Sequence, residues 1–331
     1  PKKRNIMKFI AYSDPHIHPH QSYSKALPDG MNTRLADTLS AVSEIYKAAE
    51  AMDMPVVSGG DTFQIKNSVP VLAYIKMMEI LKAREAVKAK SSAPTDVICI
   101  GNHDIANHNG TCHALIPFRN EELSKIEIPK TDAPLFVSWE DGKTLISVIP
   151  YPMEHGKFCL EKFKNNLQHA AEMVESALIT PKTSILLTHL FTHELMGKHL
   201  GLSGDFSAKD LMKHFDLVLL GHHHTHDIVN GPKTADGRTK KVVSIGSPLQ
   251  LKLSEKGEEK GYLIIDTDTL DVEFKALNTP KFYDYDSVES LSAAPPKRLD
   301  GHFVSVRVRS KADAVTAERL MSRHGAMPAS Y

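Results

Sequence analysis

The chain has 331 residues, of which 41% are hydrophobic, and its 40 lysine and arginine residues balance 40 aspartate and glutamate residues. This length is sufficient for one large core with a smaller appended module, and the zero net charge excludes a global positive field as the means of holding a polyanionic partner. The three cysteines include no C-x-x-C pair, which excludes a disulfide framework and a cysteine-rich zinc site.

The N-terminal part of the chain alternates between apolar runs and segments with helical periodicity. We predict strands at residues 7–12, 55–58 and 96–100, with one amphipathic helix in each interval. This alternation indicates an α/β fold. The apolar face of the first helix comprises Leu35, Leu39, Val42, Ile45, Ala49 and Met52, and that of the second comprises Leu72, Ile75, Met78 and Leu81.

The alternation of strands and helices continues as far as Lys240, after which only strands are predicted. Further strands are predicted at 143–150, 184–188 and 216–220, with a helix at 157–178. After Lys240 the pattern is all strand, which predicts a second sheet packed on the first. The proline-containing segment 278–300 has no sustained period and is interpreted as a linker. A strand and a short helix follow it, so the tail is predicted to be a small α/β module. The strands after Lys240 are predicted at 242–245, 262–266 and 272–276, and the tail's strand and helix at 303–308 and 312–323.

Polar residues follow the ends of five predicted strands. In an α/β sheet the carboxyl ends of the strands meet at one edge, where ligands bind. Each motif alone also fits an ordinary turn, and His189 alone fits a buried core histidine. Their joint occurrence in one order makes coincidence remote. The motifs are Asp14-x-His16, Gly60-Asp61, Gly101-Asn102-His103-Asp104, His189 and Gly221-His222-x-His224.

This order resembles the signature of the calcineurin-like metallophosphoesterases. The resemblance implies a four-layer α-β-β-α sandwich that holds two divalent metal ions. Mixed carboxylate and imidazole ligands favour Mn²⁺, with Fe²⁺ or Mg²⁺ as alternatives. Two ions ~3.5–4 Å apart bind the phosphate, activate a water molecule and stabilise the transition state, so no covalent protein nucleophile is needed. By the resemblance, Asp14, His16 and His224 hold one ion, Asn102, His189 and His222 hold the other, and Asp61 bridges them.

His103 is the residue that the resemblance leaves off the metals and directs at the scissile phosphate. We expect it to protonate the leaving oxygen or to stabilise its charge. Asp104 is expected to orient the His103 ring, or to cap a helix. The first motif departs from the D-x-H-L-G of the nuclease branch, because Ile17 and His18 follow His16.

Two features indicate which phosphoester is cleaved. The protein phosphatases extend the second motif to G-D-x-V-D-R-G, whereas residues 60–66 here lack that arginine. The run Gly246-Ser247-Pro248, Glu255 and Lys260-Gly261-Tyr262 is similar to the run that follows the last motif in SbcD, the nuclease related to the meiotic-recombination-eleven proteins. In that family the first of these segments turns the chain back towards the metals. A simple β-meander is the alternative interpretation of this run.

The resemblance implies a manganese-dependent DNA exonuclease and endonuclease, the nuclease subunit of an SbcCD-like repair and recombination complex. Expected partners are DNA, as duplex ends or single strands, an SbcC-type coiled-coil ATPase, and a second copy of the chain docked through helices at 69–90 and 112–125. The alternatives are a small-molecule or cyclic-nucleotide phosphodiesterase and a non-catalytic scaffold. The expected domains are a nuclease domain at 1–277, a linker at 278–300 and a partial DNA-capping module at 301–331.

Local basic residues must hold DNA if the net charge is zero. We predict a phosphate-tracking rim beside the site, or else a solvated charged surface. The rim residues are Lys233, Arg238, Lys240, Lys241, Lys252, Lys256 and Lys260.

No apolar run reaches the ~18 residues of a membrane-spanning helix. We therefore expect no membrane partner and a location in the cytoplasm of a bacterium or of a phage-infected host.

Overall fold

Two six-stranded sheets and one three-stranded sheet organise the chain. A computed structural model describes residues 7–120, 123–130, 132–195, 206–295 and 299–328. Within these ranges, no helix is long and apolar enough to cross a membrane. The predicted cytoplasmic location stays a prediction.

The first large sheet has the order β14-β13-β1-β2-β3-β4. Strands β1 to β4 are parallel, so their carboxyl ends lie at one edge, and β13 pairs with β1 in the antiparallel direction. The strands are β1 (Lys8–Tyr12), β2 (Val56–Ser58), β3 (Asp96–Ile98), β4 (Ile126–Glu127), β13 (Gly261–Asp266) and β14 (Val272–Ala276).

The second large sheet has the order β11-β12-β10-β9-β6-β5. Its central strands β12, β10, β9 and β6 are parallel, and β11 and β5 close its two sides in the antiparallel direction. The strands are β5 (Leu135–Trp139), β6 (Thr144–Ile149), β9 (Thr183–His189), β10 (Leu217–Gly221), β11 (Asp227–Lys233) and β12 (Thr239–Ser244), and a short hairpin joins β7 (Met153–Glu154) to β8 (Lys157–Phe158).

Helices cover the outer face of each large sheet. Asn32 caps the first of them, since its side-chain oxygen accepts from the Leu35 N–H at 2.9 Å. The apolar residues of this helix and the next pack on the first sheet, and the fourth helix packs on the second. The helices are α1 (Thr33–Ala51), α2 (Val71–Lys88), α3 (Ile116–Asn120), α4 (Leu160–Glu175) and α5 (Ala208–Leu211).

A shared apolar core lies between the two sheets. Phe9 and Val57 from the first sheet pack in one buried cluster with Ile146, Ile185 and Leu217 from the second. Their opposite faces pack on the helices, so the strands are buried on both sides and consist of nearly continuous apolar runs. The predicted α-β-β-α sandwich is confirmed.

Three predicted details are wrong. The strands after Lys240 do not form a sheet of their own, because β12 joins the second sheet while β13 and β14 join the first. The helix predicted at 112–125 is confined to the five residues of α3 among the residues described. In α2 the buried face is shifted by one position, so that Ile75 is 45% exposed. That buried face comprises Ala73, Met77, Leu81, Arg84 and Lys88.

A small C-terminal module packs around its own apolar cluster, which includes Leu291, Val304 and Met321. Ser287 and Ser310 cap its two helices. Residues 278–300 contain a strand and a helix of this module, so the prediction of an irregular linker is wrong there. The exact domain boundaries stay a prediction. The elements of the module are β15 (Phe282–Tyr285), α6 (Val288–Ser292), β16 (Phe303–Val306), α7 (Lys311–Arg323) and β17 (Met327–Pro328), and its three strands are parallel.

Candidate metal centre

The carboxyl ends of five parallel strands converge at one edge of the sandwich. Each of β1, β2, β3, β9 and β10 leads directly into one of the motifs identified in the sequence. The tertiary structure therefore brings together all seven side chains predicted to bind metal, together with His103. The seven are Asp14, His16, Asp61, Asn102, His189, His222 and His224.

One group of possible ligands comprises Asp14, His16 and His224, whose ligand atoms lie within 4.8 Å of one another. The Nε2 atoms of the two histidines face each other at 3.2 Å. Asp14 Oδ1 lies 3.8 Å from His16 Nε2 and 3.9 Å from His224 Nε2. This is the set that the resemblance assigns to the first ion.

A second group surrounds His189, which is fully buried. Its Nε2 atom lies 3.1 Å from Asn102 Oδ1 and 3.2 Å from His222 Nδ1. Asp61 Oδ2 lies 3.3 Å from the same nitrogen. These are the residues that the resemblance assigns to the second ion.

Asp61 lies between the two groups. Its Oδ2 atom is 3.5 Å from His16 Nε2 in the first group and 3.3 Å from His189 Nε2 in the second. Its other oxygen accepts from the His103 N–H at 2.7 Å, which fixes the carboxylate. The position is the one that a bridging ligand requires, and the bridge itself stays a prediction.

The main chain at the strand ends adopts conformations that are rare for residues with a side chain. Asp14, His16, Asp61 and His222 have φ values of 53°, 47°, 52° and 83°. Such strained positions concentrate at functional sites, where the surrounding structure holds them. Gly60 has a φ of 99°, and a Cβ atom there would lie 2.6 Å from Gly101 N and 3.0 Å from His189 Nδ1. Glycine is therefore required for the close approach of the second motif to the main chain of the third.

Most of the polar atoms that line the site are hydrogen-bond acceptors, namely histidine nitrogens and carboxylate oxygens that point towards its centre. His189 Nδ1 lies 2.8 Å from the Gly59 carbonyl oxygen, and His224 Nδ1 lies 2.8 Å from Glu255 Oε1. Both Nδ1 atoms are therefore donors, so in the neutral rings Nε2 carries the lone pair. That of His224 faces His16 Nε2 at 3.2 Å, and that of His189 lies 3.3 Å from Asp61 Oδ2. Like-signed lone pairs at about 3 Å repel unless a cation lies between them. The donor set therefore fits divalent metal ions.

The ionisation of these groups reflects the same concentration of negative charge. Burial lowers the pKa of His189, but the nearby Asp61 and Asp14 carboxylates outweigh it and raise that pKa to about 9. Burial raises the pKa of Asp61, yet the neighbouring His189 brings it below its usual value. The protein alone thus stabilises positive charge at this position, which is the role that a bound ion takes over.

His103 is held by a group that the sequence did not reveal. Its Nδ1 atom lies 2.6 Å from the Gln64 carbonyl oxygen, so the main chain orients the ring. The predicted orienting role of Asp104 is wrong, because that carboxylate instead accepts from the Gly101 N–H at 3.0 Å and the Phe63 N–H at 3.3 Å. No sequence signal marks a main-chain carbonyl, which explains why the interaction was missed.

The segment after the last motif turns back to His224. Ser247 N and Lys260 Nζ donate to the His224 carbonyl oxygen at 3.0 and 2.8 Å. Glu255 contacts the ring of the same residue, and Lys260 lies 3.2 Å from Glu255 Oε2. Gly246 has a φ of 83°, which allows the turn. The segment therefore packs against His224, a contact that a simple β-meander would not require.

Two members of the predicted basic rim, Lys240 and Lys241, lie away from the ligands. Lys241 pairs with Leu217 at the start of β10, whereas the ligands follow the end of that strand. Lys240 Nζ lies 3.7 Å from Asp216, and Lys241 Nζ lies 3.8 Å from Asp271, so nearby carboxylates partly neutralise both charges. The prediction that these two lysines lie beside the site is wrong, whereas Lys260 contacts His224. DNA binding by the rim stays a prediction.

Comparisons with known proteins find one matching family and several solved structures of low similarity. No curated protein matches the sequence. A dimetal phosphatase from Danio rerio aligns over 79% of this chain and 92% of its own, with 9% identity and a TM-score of 0.48. GAP50, the anchor in the inner membrane complex of Plasmodium, aligns over 93% and 98% with 14% identity and a TM-score of 0.43. A hypothetical protein from Thermus thermophilus aligns over 83% and 100% with 10% identity and a TM-score of 0.43.

Similarity to these three structures, at such low identities and TM-scores, does not indicate the substrate. The family comparison is stronger, because the model of the calcineurin-like phosphoesterases matches residues 7–226, which is more than half of the chain. The matched region contains every predicted metal ligand and His103. The chain therefore belongs to the calcineurin-like phosphoesterase family.

Proposed function

We propose that this phosphoesterase is a DNA nuclease of the SbcD type, with two divalent ions and Mn²⁺ as the first choice of metal. The observation that carries the proposal is the convergence of three sequence segments on His224. Gly246-Ser247-Pro248, Glu255 and Lys260-Gly261-Tyr262 are the residues on which the resemblance to SbcD depends. Ser247, Glu255 and Lys260 each contact His224. A chance resemblance would not require its members to meet at one metal ligand.

The residues of the site divide the work of phosphodiester hydrolysis. Two ions bound there supply Lewis-acid activation of water and neutralise charge on the phosphate. The Gln64 carbonyl oxygen accepts from Nδ1 of His103, so Nε2 can give a proton to the leaving oxygen when the ring is in its protonated form, in which both nitrogens carry hydrogen. Asp61 Oδ1, through the His103 N–H, keeps the main chain of that residue next to the ligands. These contacts argue against a non-catalytic scaffold.

DNA contact on the leaving-group side is assigned to Lys66. It lies two residues after Gln64, and it has no hydrogen bond or ion pair with any other residue that the structure describes. Burial lowers the pKa of His103, and the positive charge of Lys66 contributes in the same direction. One such contact gives weak binding. An SbcC-type ATPase and a second copy of the chain would then supply most of the DNA footprint.

The decisive experiment compares two substrates under one condition. Purified protein is incubated with Mn²⁺ and either linear duplex and single-stranded DNA or bis(4-nitrophenyl) phosphate, with a chelator and the His103→Ala variant as controls. We expect metal-dependent cleavage of DNA and of the dye, both lost in the variant. Cleavage of the dye without degradation of DNA would instead identify a small-molecule phosphodiesterase.

A further inference from the structure

Glu255 contacts a predicted metal ligand from the side remote from the metal. Its Oε1 atom accepts from His224 Nδ1 at 2.8 Å, and its side chain is only 4% exposed. The contact requires the proton of the ring to be on Nδ1, so that the lone pair of Nε2 is directed at the site. Nε2 lies 3.2 Å from His16 Nε2 in the first ligand group. A carboxylate placed in this way fixes both the tautomer and the rotation of a metal-binding histidine.

The two ligand groups are oriented by different means. In the second group, a main-chain carbonyl oxygen of Gly59 at the end of a central strand fixes Nδ1 of His189. In the first group, the fixing atom belongs to the side chain of Glu255, which lies in a short 3₁₀ turn at Leu253–Glu255 outside the two sheets. The orientation of His224 therefore depends on whatever holds that turn.

Local contacts hold the carboxylate of Glu255. Its second oxygen, Oε2, accepts from the Leu251 N–H at 3.0 Å and lies 3.2 Å from Lys260 Nζ. Lys260 is also bonded to Glu258 at 2.8 Å, so it keeps a carboxylate partner if Glu255 is neutralised. Glu258 lies in the same turn region and shares the lysine, but its carboxylate accepts from Thr225 and Lys260 and not from the His224 ring. It is therefore a matched control.

The C-terminal module holds the residues that precede this turn. The buried side chain of Gln250 accepts from the Phe282 N–H of β15 at 2.6 Å and donates to the Glu258 carbonyl oxygen at 2.8 Å. Arg34 donates to the Leu251 carbonyl oxygen at 3.0 Å.

Arg34 is itself packed against the module. Its guanidinium carbon lies 4.4 Å from the centre of the Phe303 ring and 5.6 Å from that of Phe282. Tyr23 packs edge-on against Phe282, with 5.1 Å between the ring centres. The main domain, the turn and the module thus meet at one buried junction.

We propose that Glu255 is a positioning residue that holds His224 as an Nε2 ligand, and that the C-terminal module keeps Glu255 in place through Gln250 and Arg34. The inference rests on the proposed metal centre but not on the identity of the phosphoester. It makes the small module part of the metal site, although every predicted ligand belongs to the main domain.

The first test reads the ring directly in metal-free protein. Long-range ¹⁵N–¹H NMR spectra report which nitrogen of His224 carries the proton. We expect the Nδ1–H tautomer in the wild type and in Glu258→Gln, and a loss of that preference in Glu255→Gln. In that variant the Leu251 N–H and Lys260 Nζ, which both donate to the Oε2 position, select the amide oxygen for their side, so the amide NH2 faces His224 and requires an acceptor at Nδ1. An unchanged tautomer in Glu255→Gln would overturn the assignment, whatever the protein cleaves.

The second test measures metal binding by calorimetry with Mn²⁺. Loss of a residue that orients a ligand typically weakens metal binding about 10–100-fold. We expect a decrease of this size for one of two ions in Glu255→Gln and no such decrease in Glu258→Gln. Equal affinities in both variants would contradict the positioning role. If the wild type bound no metal, the proposed function would fail, while the NMR result would still decide the role of Glu255.

The third test addresses the module without any substitution. Because Gln250 and Leu251 connect the module to Glu255, ordering of His224 by Mn²⁺ should slow amide hydrogen exchange at Leu251 and Phe282. The helix α7 serves as the internal reference, since it is the part of the module remote from the junction. Unchanged exchange at both amides on metal binding would show that the module is not coupled to the site.

Discussion

The His103 ring is held by the main chain of Gln64, whose carbonyl oxygen lies 2.6 Å from His103 Nδ1. Replacing His103 by Ala should lower the rate about 10²–10⁴-fold, as is typical for the loss of a general acid. Gln64→Ala keeps the carbonyl and should be nearly as active as the wild type, so it is the matched control.

The metal content of His103→Ala shows whether its activity falls because the general acid is missing or because a metal ion is lost. The possible ligand atoms of His103 lie within 4.8 Å of those of His16 and Asp61. If His103 is not a ligand, elemental analysis of His103→Ala should still find two ions per chain. Loss of an ion together with activity would assign His103 to the metal and contradict the role given above.

Asp61 should matter more for metal binding than any single histidine. Its Oδ2 atom lies within 3.5 Å of His16 and of His189, one from each ligand group. A shared carboxylate binds both ions and offsets their mutual repulsion. Asp61→Ala should therefore lose both ions at micromolar Mn²⁺, whereas His16→Ala should lose one. Calorimetric stoichiometry measures this, and single-ion loss in both variants would argue against a bridge.

DNA cleavage should depend on Lys66 and not on Lys240. Lys66→Gln should slow cleavage of DNA, reduce the dependence of binding on salt by about 0.9 in the logarithmic slope, and leave dye hydrolysis unchanged. Lys240→Gln is the control, because Lys240 lies near Asp216 at the opposite end of its strand. Equal behaviour of the two variants would remove Lys66 from the DNA-binding surface.

The buried ion pair of Arg84 and Asp96 should contribute strongly to stability. Two nitrogens of Arg84 bind the carboxylate at 2.7 and 3.0 Å, and both side chains are nearly inaccessible. Arg84→Met leaves the buried carboxylate with only Lys88, 3.7 Å away, as a charged partner and should lower the free energy of unfolding by about 3 kcal/mol, the lower end of the range for a broken buried pair. Lys76→Met breaks an exposed pair in the same helix and should cost about 0.5 kcal/mol or less. Urea unfolding in chelator compares them, and equal losses would contradict the argument.

The pH dependence of stability should include a contribution from Asp37. Burial raises its pKa to about 6, although the nearby Arg34 acts in the opposite direction. A raised pKa means that the folded state binds the proton more tightly than the unfolded state, so this group destabilises the fold as pH rises from about 4 to about 6. Asp37→Asn should raise the melting temperature at pH 7 but not at pH 3.5. An increase of the same size at both pH values would assign the effect to something other than ionisation.

The alternation of strands and helices, and the polar residues that follow the strands, could be predicted from the amino-acid sequence alone. Asp14, Asp61, Asn102, His189 and His222 were identified because each follows an apolar strand, and parallel strands place their carboxyl ends at one edge. The α/β sandwich followed from the same pattern.

Tertiary structure alone decided how these residues are supported. The sequence could not show that β13 returns to the first sheet, since any apolar strand can pair with either sheet. Nor could it show that Lys240 lies remote from the metals or that Gln64 holds His103, since a main-chain carbonyl carries no sequence signal. The hydrogen bond from Phe282 to Gln250 joins the C-terminal module to a residue 32 positions earlier in the chain, and such long-range contacts depend on packing and not on local periodicity.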